Sequence, residues 1–383
     1  LFGENISVKS IALNFSPLEA MESGVANISL KGNGTWTSLE NLNYEGTIKL
    51  GDASFKAEGF THPLILNANL DLGNYKSTIK SATLASSDSA IQFTGNYQWN
   101  DAPSLILTIS GRKVDFNDVW PGVIPLEKIR EILFQSPLYN NGTATVEFQL
   151  GYYEFLFWNL NNPSGKIHLN NKSFNIENFK ILHPKGGVVE AGARLSFPER
   201  SGIQVDSFLS GSKIQAQDFL SIFGKTFDNG LTGSFDKLEG AFQVQGDTWK
   251  KFRKSFNAQL DFDLTTGTFD PNKLLKGASD LFNFSYTIDS DANKPSDDRP
   301  YQKIAAGFRV KNGVAQTEDF RYFNDTRGMT LAGAFDLNKN EMDTVVGVAH
   351  LPGVDKVLTQ IPLLGKILTA GSERRLVKTY YIL

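Results

Sequence analysis

The chain has 383 residues and a net charge of −3, with 40% hydrophobic and 21% charged residues. This composition is globular rather than disordered, and the charge balance argues against nucleic acid as a partner. There is no cysteine, which excludes disulfide frameworks, thiolate metal sites and cysteine nucleophiles; 29 Phe, 11 Tyr and 34 Gly against 3 Met lean toward strands and turns.

The chain begins with LFGENISVKS, which has neither an initiator Met nor a signal peptide, and ends in the strand-like LVKTYYIL. The expectation is a piece of a longer protein, with any targeting segment or membrane anchor outside it. Period-2 alternation then dominates. LNANLDL sets Leu66, Ala68, Leu70 and Leu72 against Asn67, Asn69 and Asp71. IQFTGNYQW sets Ile91, Phe93, Tyr97 and Trp99 against Gln92, Thr94, Asn96 and Gln98. IPLEKIREILFQ (124–135) has the helical spacing Leu126, Ile129, Ile132, Leu133, and AQDFLSIFG (216–224) reads as a short helical turn. AQLDFDL returns to alternation, with Leu260, Phe262 and Leu264 on one side. DPNKLLKGASDLFNF carries a helix start, with Asp270 as N-cap and Pro271 at the first helical position. MTLAGAFDL (329–337) is again a strand, and GVDKVLTQIPLLGKIL is an apolar helical run kinked or broken at Pro362. Strands with one solvated face are the antiparallel signature.

Two blocks recur. The first is a strand, an aromatic segment and a second strand: VANISLKGNGTWTSLENLNYEGTIKL (25–50), TATVEFQLGYYEFLFWNLNNPSGKIHL (143–169) and LEGAFQVQGDTWKKFRKSFNAQLDFDL (238–264). The second is a strand with a central glycine, a turn, a return strand and an apolar segment, at 90–122, 188–224 and 329–362. Its glycines are Gly95, Gly192 and Gly333; in the middle copy the alternation slips by one, which calls for a bulge or another register. The repeats divide the chain into 1–122, 123–237 (with a linking helix) and 238–383. On the apolar face of a strand, Gly95 and Gly333 either let the sheet bend or leave room for a guest.

The fold expected is mainly β: an elongated, curved antiparallel sheet forming an open groove, built of repeats, with a few short amphipathic helices. About twenty strands must hide one apolar face. Dry β-sandwich cores would do so; a trough lined by that face would instead receive an apolar guest. The candidate lining residues are Leu66, Leu70, Leu72, Ile91, Phe93, Tyr97 and Trp99 in the first repeat. Val146, Phe148, Ile167 and Leu169 follow in the second. Phe242, Val244, Leu260, Phe262, Leu264, Phe308, Val310, Leu331, Phe335 and Leu337 complete the set in the third.

The stretch AAGFRVKNGVAQTEDFRYFNDTRGMTLAGAFDLNKNEMDTVVGVAHLPGVDKVLTQIPLLGKILTAG (305–371) resembles the C-terminal segment of the AsmA-like family of bacterial envelope proteins, the AsmA/TamB/YhdP group. It shares the order of strand, NG turn, strand, GxxxL strand, return strand and IPLLGKILTAG-type apolar segment. The resemblance implies a periplasmic β-groove that holds acyl chains and carries phospholipid between inner and outer membranes. It also implies an N-terminal inner-membrane helix in the parent protein and contacts with other envelope proteins.

No catalytic residues are carried over from this family, and no cofactor is expected. His62, His168, His183 and His350 lack metal-ligand spacing. FGKT (223–226) is not a phosphate loop, because position 219 is Phe219 where the loop needs glycine. Asp289, Asp291, Asp297 and Asp298 lack EF-hand spacing and read as a solvated loop. No G-x-S-x-G elbow occurs. The reading is a non-enzymatic lipid-transfer module; the alternative is a β-rich envelope scaffold with dry sandwich cores.

Overall fold

A computed structural model describes residues 2–7, 21–34, 42–55, 62–99, 101–115, 118, 126–155, 158–182, 186–198, 202–221, 230–270, 299–325, 327–336, 341–350 and 379–382. The described residues are mainly β, with mostly antiparallel strands and four short helices among them. Of the helices expected at 270–284 and 353–368, all but the N-cap candidate Asp270 lies outside the described residues, as does Leu337.

The chain forms two compact units, Leu1–Leu182 with Gly192–Phe197, and His183–Ala191 with Pro198–Leu383. The sequence repeat 123–237 therefore contributes to both.

In the first unit, seven strands follow one another: β1 (Phe2–Ser7), β2 (Met21–Gly34), β3 (Leu42–Phe55), β4 (Leu64–Gly73), β5 (Lys76–Ser86), β6 (Ser89–Gln98) and β7 (Ser104–Asp115). Each pairs antiparallel with the next. Helices α1 (Leu126–Gln135) and α2 (Pro137–Asn141) then lead to β8 (Thr143–Phe155), which lies parallel to β7. Parallel neighbours need a crossover, and the two helices supply it. Strands β9 (Trp158–Asn161) and β10 (Ser164–Asn170) both pair with β8, and β11 (Ser173–Leu182) pairs with β10. Strand β12 (Val188–Ser196) has residues in both units.

In the second unit, β13 (Ile203–Ser212) and β14 (Ile214–Gln215) both pair with β15 (Ser234–Gly246). Helix α3 (Ala216–Ser221) precedes β15, and α4 (Trp249–Ser255) joins it to β16 (Asn257–Phe269). The ladder runs on through β17 (Arg299–Lys311), β18 (Val314–Phe323), β19 (Arg327–Asp336), β20 (Glu341–His350) and β21 (Thr379–Ile382).

The first sequence block is an antiparallel pair in every copy: β2–β3, β8–β10 and β15–β16. Its inserts differ, being β9 in one copy and α4 in another. Helix α4 falls where the sequence reading had only an aromatic segment. Its start was legible in Thr248, whose hydroxyl accepts from the Lys251 amide at 3.4 Å. Tight turns follow ordinary chemistry: Asn312 (φ 52°) and Gly313 (φ 79°) close β17–β18, and Asn171 (φ 48°) and Lys172 (φ 58°) close β10–β11. Positive φ at both central residues is what a two-residue hairpin requires.

Three strands are bulged where their apolar alternation slips. In β5 the apolar side chains sit at Ile79, then at Ala82 and Leu84, an odd-to-even change. The ladder skips a residue there, pairing Leu70 with Ile79 but Ala68 with Ala82. Strand β3 behaves likewise between Leu50 and Ala53, where Asp52 takes φ 47°. Strand β18 does so between Thr317 and Phe320. Each extra residue returns the apolar side chains to one face.

Candidate functional site

The register gathers the apolar side chains of the first unit into rows that run across the strands. The longest is Ile28–Ile48–Leu70–Ile79–Gly95–Leu107–Val146–Ile167–Ile176, one residue from each of β2 to β8, β10 and β11. A second runs Ala26–Leu50–Ala68–Ala82–Phe93–Ile109–Phe148–Gly165. The opposite face reads Thr47–Asp71–Thr78–Asn96–Ile106–Thr145–His168–Asn175 over the same strands. The first two rows are thus apolar or glycine at every position, and the row on the other face is polar apart from Ile106.

All nine residues of the longest row are half-buried. The full burial in its neighbour row belongs to small residues, Ala26, Ala68 and Ala82, shaded by larger ones beside them. Among the described residues, this unit has two hydrophobic clusters. One is Ala26 with Ala53, against which Ile28, Leu50 and Leu66 of these rows pack; the other is Tyr139 with Ala144 and Leu169. The second cluster is where the crossover helices lie on the sheet, with Leu133, Phe134 and Leu138 against Leu105 and Phe174. Tyr139 anchors it: its ring stacks on Phe174 at 5.9 Å, and its hydroxyl donates to the Lys172 carbonyl at 3.0 Å. Burial pushes the Tyr139 pKa upward.

The residues named from sequence in this unit fall on this one face. Leu66 lies in the row Leu66–Leu84–Ile91, Phe93 and Phe148 share the row just given, and Leu72 continues through Ser77 to Tyr97. Leu70, Val146 and Ile167 belong to the longest row, and Trp99 sits 5.9 Å from the Tyr97 ring. Leu169 differs, being buried under the crossover helices. Ile28, Ile48, Ile79, Leu107 and Ile176 complete the row but were not named as lining residues. Their signal was the same alternation, plainest in SLILTIS (104–110).

The second unit also has an apolar face, but one strand end of it is closed. There the row Ile214–Phe235–Leu264–Ile304–Tyr322–Met329 is packed with Leu238, Phe219 and Tyr301 into a continuous buried cluster. Helix α3 contributes Phe219, edge-on to Phe235 at 5.5 Å. Leu264 is fully buried, so of the residues named from sequence it belongs to a dry core. Toward the other strand end, the face continues as Leu260–Phe308 and Phe242–Ala258–Val310–Ala315–Phe335, all half-buried. Phe262 stacks on Phe308 at 6.2 Å between the two regions. Val244 and Leu331 lie on this face as well, opposite Val205 and Phe320.

The polar face holds one constellation of chemical interest. Thr145 Oγ1 lies 3.1 Å from His168 Nδ1, and His168 Nε2 lies 3.6 Å from Glu177. These are neighbours on consecutive strands of an exposed sheet face. Burial, helped by the Asp115 carboxylate, pushes the Tyr153 hydroxyl up to about 12. Among the described residues no three His, Cys, Asp or Glu side chains converge as a metal site. None of the described helices is long and apolar enough to cross a membrane. In comparisons with known proteins, no family model, curated protein or solved structure matches this chain.

Proposed function

We propose that the chain is a non-enzymatic lipid-transfer module whose apolar β face holds acyl chains. The observation that carries this reading is the nine-strand row from Ile28 to Ile176, apolar or glycine at every position and half-buried throughout. Contiguous apolar surface of that extent calls for a guest or partner. A strand-wide band repeated over many strands suits alkyl chains better than a compact ligand, which needs a closed pocket with a few fixed polar groups. Each methylene buried contributes about 0.8 kcal/mol. Successive rows offer similar side chains, so the gain changes little as a chain slides along. In this reading the head groups stay at the wet margin of the face. Following the resemblance at 305–371, the module acts in the periplasm, in an AsmA-like parent anchored in the inner membrane, and carries phospholipid between the two membranes.

The buried cluster around Leu238 and Leu264 favours a second reading for the second unit, a scaffold with a dry core. Mass spectrometry of lipid extracted from the purified protein separates the two. The transfer module carries phospholipid in stoichiometric amounts, and Leu107→Asp abolishes it without unfolding the chain. A folded protein free of lipid, and unable to take up a fluorescent acyl probe, leaves the scaffold reading in place.

A further inference from the structure

The two strand ends of the second unit differ in chemistry as well as in packing. At the end opposite the buried cluster, β15 runs into α4, with sequence WKKFRKS. This helix is docked firmly. A β carbon on buried Gly246 would stand 2.9 Å from Lys251 Cβ, and Ser255 Oγ both donates to the Gln245 carbonyl (2.6 Å) and accepts from its amide (2.9 Å). The docking leaves Lys250, Lys251 and Lys254 exposed. The β17–β18 turn is tied to the same place, Gly313 N donating to the Phe256 carbonyl at 3.2 Å and Asn312 N to Asn257 Oδ1 at 3.0 Å. It brings exposed Lys311 to this end. Acidic groups here are Asp247, taken by Lys251 at 2.7 Å, and Asp336 at the end of β19 with Glu341 opposite it on β20.

Beside this basic rim the apolar face reaches its margin. Phe242 is half-buried, with the Phe256 ring 6.4 Å away, and its row continues through Val310 to Phe335. Lysines next to half-buried aromatics at the open end of an apolar surface match a lipid interface, phosphates outside and alkyl chains within.

We propose that α4 and the 311–313 turn are the surface by which the second unit docks on an anionic bilayer. Lys250, Lys254 and Lys311 pair with headgroup phosphates, which sets the Phe242–Phe335 margin against the acyl region. The inference rests on the lipid-binding reading for its purpose, but the docking itself is measured separately.

Co-sedimentation with phosphatidylcholine vesicles, with and without about a third phosphatidylglycerol, tests it on the full chain. Wild type binds the anionic vesicles and is released by high salt. Lys250→Gln, Lys254→Gln and Lys311→Gln together lower that affinity by about 100-fold, each lysine near such a surface contributing roughly fivefold. The variant keeps the Lys251–Asp247 pair, and its unfolding midpoint and acyl-probe uptake from detergent stay those of wild type. Equal binding of wild type and variant, or equal binding to neutral vesicles, overturns the proposal. So does retention on a soluble polyanion without vesicle binding, which points to a non-lipid anionic partner. Loss of acyl-probe uptake in wild type, with vesicle docking intact, sinks the transfer reading instead.

Discussion

Gly95 on β6 lies opposite Leu107 on β7 with no room for a side chain between them. A β carbon at position 95 would stand 3.0 Å from the Leu107 Cα, with the Ile106 carbonyl oxygen closer still. Gly333 stands in the same relation to Thr344, whose Cα would be 2.6 Å away. Both are central glycines of the recurring strand, and both sit against the return strand of their own repeat. The space of the missing side chain is thus taken by the neighbouring backbone and is closed to a guest.

Replacing either glycine by valine therefore acts on folding. Gly95→Val and Gly333→Val each destabilise by roughly 1–3 kcal/mol, the usual range for overpacking. Urea unfolding shows this as a lower midpoint at unchanged slope. A variant that unfolds like wild type while losing bound lipid contradicts the close-approach account.

Aspartate substitutions distinguish the open from the closed parts of the apolar face. At half-buried Leu107, a carboxylate keeps access to water. Leu107→Asp lowers acyl-probe binding at least tenfold while costing about 1–2 kcal/mol of stability. At fully buried Leu264, inside the Phe235–Ile304 cluster, it must be desolvated. Leu264→Asp unfolds the second unit, and the milder Leu264→Ala costs about 2–5 kcal/mol. Circular dichroism and probe titration on the same samples check both. Equal destabilisation by the two aspartates shows that the Leu107 face is a dry core as well.

The bulges make a prediction of their own. Deleting Lys80 from β5 removes the residue that lets Ile79 and Ala82 share a face. Either Ser77 and Ile79 or Ala82 and Leu84 then turn to the polar side. The expected outcome is aggregation or dye-binding apolar surface, together with a loss of several kcal/mol, well above the ordinary mutational mean of about 1 kcal/mol. The substitution Lys80→Ser keeps the residue count and loses little more than the exposed pair with Asp71, for which ~0–1 kcal/mol is typical. Size-exclusion elution and unfolding curves of the two variants separate the register effect from the charge effect.

Much of this was legible in the sequence. Alternation in LNANLDL, IQFTGNYQW and AQLDFDL identified strands and their apolar sides, and the spacing at 124–135 identified α1. Glycine and asparagine marked the turn at Asn312–Gly313. Three things were not read. The parity slips in IKSATL and LGDASF are visible as letters, but only pairing with a neighbour tells a bulge from a reversal of face. The parallel placement of β7 and β8 depends on where the crossover docks, through Tyr139 and Phe174, which are distant in sequence. Leu264 and Leu260 look alike in AQLDFDL, yet only the former is fully buried, because Phe235, Ile304 and Tyr301 converge around it.

Buried Tyr301 and half-buried Tyr153 make stability fall at alkaline pH. Tyr301 donates its hydroxyl to the Thr232 carbonyl, and burial raises its pKa above the ordinary tyrosine value. Tyr153 is pushed up to about 12 by burial and by the Asp115 carboxylate. In the unfolded chain both titrate near about pH 10. Between that pH and the folded values, the unfolded state has released protons that the native state still holds. Stability is therefore fully present below about pH 10 and declines as pH rises toward the folded values. Tyr301→Phe costs roughly 1 kcal/mol near neutrality, from the lost hydrogen bond, but flattens the alkaline decline of the second unit. Tyr153→Phe does the same for the first. Urea midpoints at about pH 8 and about pH 11 check this, since each variant should lose less between the two than wild type. Tyrosinate absorbance gives an independent readout, with Tyr153 and Tyr301, like Tyr139, ionising at higher pH in the folded protein than in the unfolded chain. If wild type and both variants lose the same stability across that interval, the decline comes from other groups and the two hydroxyls are not its source.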